Sequence, residues 1–307
     1  MVEVSVCVIS YNFEKYISQT LDSVLAQMTN FEYEIIVSDD CSSDKTQEIL
    51  LEYKRKYPDL IKLVLLPENT KGAFTQIRAL ELVKGKYIAI LEGDDFWCNE
   101  NKLQMQYDYM EAHPEKSAVV THLNAVDEFG NPLKMPKDWD KNINKEEFSI
   151  KDYEKKPISP FLQSLLFRNK EKYIDLLHER NRLDNYTQAM LLCDGNIGIL
   201  PDITATYRIV HFHGENYSSL PIEKKALLLF NCGLLIDEKF GDKINTNRMM
   251  DNILADAILF GHKSMTETEK EYYKKLSFGR KCDVVGRIFG VSIFRRGVKL
   301  IKSKLAI

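Results

Sequence analysis

The first 71 residues of this 307-residue chain contain no glycine, because the first glycine is Gly72. The two common backbone phosphate sites, the P-loop and the GxGxxG turn, need glycines directly after the first strand of a domain. Neither site can therefore exist at the start of this chain. A diphosphate bound there would need a cation and scattered basic side chains to compensate its charge.

Other absences narrow the class of protein. No run of about 18 apolar residues occurs, so the sequence predicts no membrane-spanning helix. The formal net charge of −3 gives no reason to expect nucleic acid as a partner. The six cysteines form no CxxC pair, which indicates reduced thiols rather than a zinc site. Because the first residues have a strand pattern rather than that of a signal peptide, we expect a cytoplasmic protein.

Strand and helix patterns alternate from Val2 to about residue 126. The predicted strands are Val4–Ser10, Glu34–Ser38, Ile61–Leu66, Lys86–Leu91 and Ala118–Val126. The predicted helices are Glu14–Gln27, Asp44–Tyr57, Ala73–Val83 and Asn101–Ala112. This alternation is typical of an α/β fold with a mostly parallel sheet flanked by helices, in which ligands bind at the carboxyl ends of the strands. Residues 221–307 are predicted to form an all-helical C-terminal appendage.

Three carboxylates end the apolar run Tyr87–Leu91, namely Glu92, Asp94 and Asp95. Mg²⁺ and Mn²⁺ prefer oxygen ligands held at a rigid edge, so the pattern predicts a divalent-cation site. The alternative is a turn in which Gly93 takes a positive φ and the aspartates cap the next helix. Capping explains one acid and not three, so we favour the metal site.

A second acidic cluster follows the second predicted strand and contains Asp39, Asp40 and Asp44. Such acids accept hydrogen bonds from a nucleobase or a ribose, or else build an Asx turn and a helix cap. We expect both uses, with Asp44 as the cap and Asp39 and Asp40 nearer the ligand. Farther along, Lys71 and Arg78 are candidates to pair with a phosphate, although isolated basic residues are more often solvated.

Two later segments carry candidate catalytic or metal-binding groups. Asp184 opens a helical pattern that ends at Gly195, so it is either a helix cap or a general base for an acceptor hydroxyl. His211 and His213 stand at alternate positions of a strand-like segment and therefore share a face, where they would bind a metal or a diphosphate. A structural role for one of them is the other interpretation.

The tail 284–307 contains no acid and six basic residues. Its apolar residues repeat every three or four positions, which predicts a basic amphipathic helix that lies on an anionic membrane surface. Arg287 and Lys302 fall on the apolar stripe, and glycines weaken an isolated helix. Packing of the tail against the domain is therefore an equal alternative.

In combination, these residues resemble the family 2 glycosyltransferases, whose fold is called GT-A. The motifs that carry the resemblance occur in order at Val8–Asn12, Val37–Asp44, Asn69–Gly72, Lys84–Ala89 and Glu92–Trp97. The segment Ala205–Ile209, with the histidines that follow, is similar to the Tyr-Arg-Ile-His sequence that closes the family's catalytic domain. The similarity is close over residues 2–126 and looser over residues 161–218.

The resemblance implies a catalytic domain over residues 1–220, with a donor half (1–126) and an acceptor half (127–220), followed by the helical region 221–307. It implies a Mn²⁺ or Mg²⁺ ion on Asp94, Asp95 and Glu92, with His211 or His213 near the metal or diphosphate. The implied donor-binding residues are Ser10, Tyr11, Asn12, Asp39, Asp40, Asn69, Lys71, Arg78, Asp94 and Arg208. Asp184 matches the family's catalytic base, although Leu183 stands where the family usually has glutamate.

The implied reaction is an inverting, metal-dependent transfer of a sugar from a nucleotide-diphosphate donor, with UDP as the commonest nucleotide. The expected acceptor is a hydroxyl of a glycan or a lipid-linked molecule in surface polysaccharide synthesis, and the tail suits the inner face of the plasma membrane. Two alternatives stay open. One is a catalytically silent scaffold of a polysaccharide assembly complex, and the other is a sugar-nucleotide nucleotidyltransferase. The sequence leaves the oligomeric state open.

Overall fold

The computed structural model describes residues 1–70, 72, 74–134, 145–158, 162–179, 183–210, 222–259, 267–277, 280, 281 and 284. Lys71, His211, His213 and, apart from Val284, the tail 284–307 lie outside the described residues. The roles predicted for them therefore stay predictions.

The described residues form a sheet of ten strands. In chain order the strands are β1 (Val2–Ser10), β2 (Glu32–Asp39), β3 (Ile61–Leu65), β4 (Tyr87–Glu92), β5 (Phe96–Trp97), β6 (Ala118–Asp127), β7 (Pro132–Leu133), β8 (Glu147–Phe148), β9 (Leu166–Arg168) and β10 (Ile197–Ile209). The helices are α1 (Ile17–Leu25), α2 (Thr46–Lys56), α3 (Thr75–Leu80), α4 (Lys102–Ala112), α5 (Ile150–Tyr153), α6 (Glu171–Leu177), α7 (Asp184–Leu192), α8 (Ile222–Phe240), α9 (Asn247–Leu259) and α10 (Glu267–Lys275). A short 3₁₀ turn, Leu162–Ser164, precedes β9.

The strand order along the sheet is β3-β2-β1-β4-β9-β6-β10-β5. β3, β2, β1 and β4 are parallel neighbours, while β9 runs antiparallel to both β4 and β6. β1 lies between β2 and β4 in the sheet, so the strands that follow β1 in the chain lie on both sides of it. The strand order therefore reverses between β1 and β4, and the carboxyl ends of strands at such a point are the usual ligand position in an open α/β sheet.

Alternating side chains of the central strands build one core on each face of the sheet. On one face, Val6 of β1 clusters with Leu21 of α1 and Leu103 of α4. On the other face, Ile90 of β4 clusters with Tyr173 of α6 and with residues of α3 and α7. Helices thus cover both faces, and the predicted α/β sheet flanked by helices is confirmed.

The predicted strands and helices of the N-terminal half are all present, with ends that differ by a few residues. Two features differ from the sequence pattern. β9 enters the sheet between β4 and β6, and three residues are too few to give a periodic signal. Residues 130–160 are rich in Lys, Asp, Asn and Pro, a composition that predicts a mobile connection. The described residues 145–158 of this stretch nevertheless contain β8 and α5, where Phe148 and Tyr153 are buried.

Beyond residue 221 the described residues form the three helices α8, α9 and α10. The rings of Tyr186 on α7 and Phe240 on α8 lie 5.3 Å apart, so the helical region packs on α7. Phe230, Met250 and Tyr273 belong to a separate small core of these helices. No described helix is long and apolar enough to cross a membrane. The proposed domain division at residue 220 falls outside the described residues and stays a prediction.

Candidate active site

Glu92, Asp94 and Asp95 lie at the carboxyl end of β4, next to the point where the strand order reverses. Two backbone hydrogen bonds fix the turn after β4, from Gly93 N to Ile9 O (2.8 Å) and from Asp95 N to Glu92 O (3.0 Å). One oxygen of each carboxylate lies within 4.8 Å of the other two. The fold therefore brings the three predicted acids together.

The alternative interpretation of this motif, a positive-φ turn with helix caps, is wrong. Gly93 does not have a positive φ. It is required by space, because a Cβ atom there would lie 2.8 Å from the side chain of Phe13. The next helix, α4, has Asn101 as its N-cap residue, so neither aspartate caps it.

Burial makes the charged forms of these acids costly. It raises the pKa of Glu92 to about 8 and that of Asp94 to about 6, and the negative charge of Asp94 adds to the effect at Glu92. Burial and the two neighbouring acids also raise the pKa of Asp95 well above its ordinary value. A divalent cation would remove this penalty, because it pairs with the charged forms.

Asp95 provides a test of whether the site fits a cation. Its side chain is 1% exposed, and its Oδ1 accepts a hydrogen bond from Arg208 N at 2.7 Å. Its Oδ2 is buried and has no hydrogen-bond partner at normal distance among the described residues, although the amide of Gln163 is near enough to oppose the rise in the pKa of Asp95. Because buried polar atoms are rarely unpaired, this oxygen and the all-oxygen ligand set fit Mg²⁺ or Mn²⁺.

Arg208, on β10, lies beside the acids. Its Nε donates to the carbonyl of Asp94 at 2.8 Å, and its Nη2 donates to Oε1 of Gln19 at 2.6 Å. The guanidinium also lies over the ring of Tyr16, 4.7 Å from its centroid. The positive charge opposes the effect of burial on the pKa of Asp94. The structure thus places Arg208 at the acid cluster, where a diphosphate bound through a cation would lie.

Asp39 and Asp40 shape the loops at the carboxyl end of β2. Asp39 accepts hydrogen bonds from the backbone N–H of Ser42 at 2.8 Å and from its hydroxyl. Asp40 accepts from Thr70 N at 2.9 Å and from Gly72 N at 2.8 Å. Both acids are buried. Their structural role is clear, and donor binding by them stays a prediction.

The loop after β1 is tied to the loop after β2 through Asn12, whose φ is +55°. Its Oδ1 accepts from Ser43 N at 2.8 Å, and its N–H donates to Ser42 Oγ at 2.8 Å. Ser10 is buried at the end of β1, whereas Tyr11 is 38% exposed. Tyr11 therefore offers the accessible aromatic surface of this predicted donor-binding group.

Asp184 is the first residue of α7, and its carboxylate lies near enough to Glu92 for the two negative charges to interact. Its negative charge contributes, after burial and Asp94, to the raised pKa of Glu92. The N-cap residue of α7 is Leu183, so the interpretation of Asp184 as the cap is wrong. The amide of Gln188 anchors the helix through two hydrogen bonds with the backbone of Ile158, at 2.9 and 2.8 Å.

A family model described as "Glycosyl transferase family 2" matches residues 5–175, which is more than half of the chain. The chain belongs to this family. An uncharacterized protein of Mycobacterium tuberculosis is 31% identical over 226 residues, which cover 72% of this glycosyltransferase and only 62% of that relative. The putative teichuronic acid biosynthesis glycosyltransferase TuaG of Bacillus subtilis is 34% identical over 212 residues, which cover 68% of this chain and 79% of TuaG.

Solved structures show the same fold. The crystal structure of a fragment of S. aureus TarS in complex with UDP-GlcNAc has a TM-score of 0.61 to this glycosyltransferase. The match covers 94% of this chain and 80% of the TarS fragment at 21% identity. The predicted fold class is thereby confirmed, and the family match confirms the predicted resemblance to the family 2 glycosyltransferases.

Three other predicted residues are Arg78, Asn69 and Asp44, and the contacts that the structure shows around them involve groups other than the three acids. Arg78 is half exposed on α3 and pairs with Glu81 at 2.9 Å. Asn69 directly precedes the threonine that binds Asp40. Asp44 accepts from Thr46 N at 2.9 Å, but it stands one residue before the N-cap position of α2. Donor contacts of Arg78 and Asn69 stay predictions.

Gln163 is a residue of the glycosyltransferase site that the sequence did not indicate. It lies in the turn Leu162–Ser164, is 2% exposed, and donates from Nε2 to Oε2 of Glu92 at 3.1 Å. Its amide also opposes the rise in the pKa of Asp95. A single glutamine in an apolar segment gives no periodic or compositional signal, so only the fold reveals this contact.

Proposed function

We propose that this protein transfers a sugar from a nucleotide-diphosphate donor to a hydroxyl of a glycan or lipid-linked acceptor, with inversion at the anomeric carbon. The observation that carries the proposal is the cluster of Glu92, Asp94 and Asp95 after β4, with the negative charge of Asp184 on α7 acting on Glu92. The three clustered acids suit a cation that binds the leaving diphosphate. Asp184 suits proton transfer from the acceptor hydroxyl.

The three clustered acids would bind Mn²⁺ or Mg²⁺, with Asp94 and Asp95 as the main ligands and Glu92 as the third. The cation would neutralise the charge that develops on the departing diphosphate. The guanidinium of Arg208 supplies a fixed positive charge beside Asp94. It would therefore hold the diphosphate end of the donor and leave the sugar free to meet the acceptor.

Asp184 would act as the general base. Its carboxylate accepts the proton of the acceptor hydroxyl while that oxygen forms a bond to the anomeric carbon. The bond between the anomeric carbon and the diphosphate oxygen breaks at the same time, and its electron pair leaves with the nucleoside diphosphate. A single displacement of this kind inverts the anomeric centre, and proton transfer by the base contributes roughly 10² to 10⁴-fold to the rate.

The donor and acceptor classes are supported by relatives rather than by contacts in this chain. The TarS fragment with the same fold binds UDP-GlcNAc, which makes a UDP-sugar the first donor to test. TuaG carries the name of a putative teichuronic acid biosynthesis enzyme, which supports an acceptor in surface polysaccharide synthesis. The tail 284–307 would hold the enzyme at the cytoplasmic membrane surface, and unchanged membrane partitioning after its deletion would contradict that role.

The deciding experiment is calorimetric binding of a panel of nucleotide-sugars to the full chain, with Mn²⁺ and again with EDTA. We expect one donor to bind in the presence of Mn²⁺ and to lose most of its affinity in EDTA. The protein is then incubated with that donor and candidate acceptors. NMR of the product's anomeric proton tests whether the anomeric centre is inverted. Absence of binding under both conditions would favour a catalytically silent scaffold.

A further inference from the structure

The turn Leu162–Ser164 is packed against the end of β4, and its middle residue reaches the acid cluster from inside the protein. Gln163 is 2% exposed, and its Nε2 donates to Glu92 Oε2 at 3.1 Å. Its Oε1 is buried and makes no hydrogen bond to the described residues. An amide donates without adding charge, so it orients Glu92 and leaves the cluster's negative charge for a cation.

Two hydrogen bonds hold the backbone of this turn at the carbonyls of Gln163 and of the next residue. The indole N–H of Trp97 donates to the carbonyl of Gln163 at 3.1 Å. The amide of Gln106 donates to the carbonyl of Ser164 at 2.7 Å. Both donors are buried, so neither bond competes with bulk water. The position of the Gln163 amide is therefore set by two independent elements, the segment around β5 and α4.

The buried amine of one lysine connects these two donors. Lys102 is fully buried, and its Nζ donates to Gln106 Oε1 at 2.5 Å. The same Nζ lies 4.4 Å from the centroid of the Trp97 ring. Lys102 therefore fixes the two side chains that hold the turn, although it contacts neither Gln163 nor the acids.

We propose that Gln163 is a positioning residue of the cation site, and that the contacts of Trp97 and Gln106 with its turn hold its amide against Glu92. Gln163 can have this role only if the carboxylates bind the divalent cation of the proposed function. Groups that orient metal ligands typically contribute 10- to 100-fold to metal affinity, which sets the size of the expected effect at about tenfold or more.

The test is calorimetric titration of the purified full chain with Mn²⁺ alone, without donor or acceptor. Gln163→Met keeps the length of the side chain and removes its amide, so we expect Mn²⁺ affinity to fall about 10- to 100-fold. Gln188→Met is the matched control, because Gln188 is equally buried but donates and accepts only with the backbone of Ile158 among the described residues. Its Mn²⁺ affinity should equal that of the wild type.

A second variant, Trp97→Phe, keeps the aromatic ring and removes the N–H that holds the carbonyl of Gln163. We expect a smaller loss of Mn²⁺ affinity in the same direction. If Gln163→Met and Trp97→Phe both bound Mn²⁺ as tightly as Gln188→Met, the positioning role of Gln163 would be overturned. The cation site itself would not be. A wild-type chain that does not bind Mn²⁺ would overturn the cation site as well, so the two failures are distinguishable.

Discussion

The backbone N–H of Arg208 donates to Oδ1 of Asp95 at 2.7 Å, and this bond joins β10 to the acid cluster after β4. The two residues are 113 positions apart in the sequence, yet each depends on the other. Asp95 satisfies the buried N–H of a strand, and that strand carries the guanidinium that lies beside Asp94. Asp95 therefore has a structural role that Asp94 lacks.

This difference predicts opposite effects of two neighbouring alanine variants on stability. Asp95→Ala leaves the buried N–H of Arg208 unpaired, so we expect the free energy of unfolding to fall by about 1–3 kcal/mol. Asp94→Ala removes no such bond and takes away a carboxylate whose charge is costly to bury, so the free energy of unfolding should not fall. Urea denaturation of the metal-free proteins measures both values. Equal stability of the two variants would contradict the structural role of Asp95.

The same pair also tests the cation site. Both variants should lose Mn²⁺ binding in calorimetry, because each lacks one of the proposed main ligands. Asp59→Ala is the control, since Asp59 is exposed and far along the sequence from the acids. If Asp94→Ala bound Mn²⁺ and donor as tightly as the control, Asp94 would not be a ligand.

Asp184→Asn separates catalysis from binding. The amide cannot accept the proton of the acceptor hydroxyl, so we expect kcat to fall by roughly 10² to 10⁴-fold. Donor and Mn²⁺ affinity should remain close to those of the wild type, because the proposed ligands are unchanged. Steady-state kinetics and calorimetry on the same preparation measure both. The exposed Asp175 on α6 provides the control Asp175→Asn. A parallel loss of binding and turnover would argue against the role of base.

The buried Lys102 predicts a pH dependence of stability. Burial lowers its pKa to about 7. In the unfolded chain the amine keeps its proton up to about pH 10, so between about pH 7 and pH 10 the unfolded state binds more protons. Stability from this group therefore rises with pH over that range and is lower at neutral pH.

Lys102→Met removes this contribution, and the difference between the two proteins cancels other titrating groups. We expect the wild type to gain about 3 kcal/mol relative to the variant between about pH 7 and pH 9.5. Urea denaturation at the two pH values measures the gain. Parallel pH dependence of the two proteins would show that the amine stays charged in the fold, held by Trp97 and Gln106.

The contact of Phe240 on α8 with Tyr186 on α7 predicts that the C-terminal helical region stabilises α7. Phe240→Ala opens a cavity beside α7, so we expect the free energy of unfolding to fall by about 3–5 kcal/mol. kcat should fall as well, because α7 begins with Asp184. Phe129→Ala is the control, since Phe129 is 81% exposed. An active, stable Phe240→Ala variant would mean that α7 does not need α8.

The sequence by itself determined the succession of strands and helices along the N-terminal half of the chain. It also determined the position of the three acids after β4. These features are local: periodicity follows from burial of one or both faces of a strand or helix, and the acids are neighbours in the chain. The ordered motifs also sufficed for the family. Short elements such as β9 carry too little pattern to be predicted this way.

Only the tertiary structure decided which distant residues join the acids. Asp184, Arg208 and Gln163 are separated from the acids by long stretches of chain. Each interacts with one of them because its helix, strand or turn packs at the same part of the sheet. Packing also decided that Asp39 and Asp40 hold loops and that Gly93 is needed for space rather than for φ. Such contacts depend on the whole core, because no local pattern records which partner a buried polar group meets across the fold.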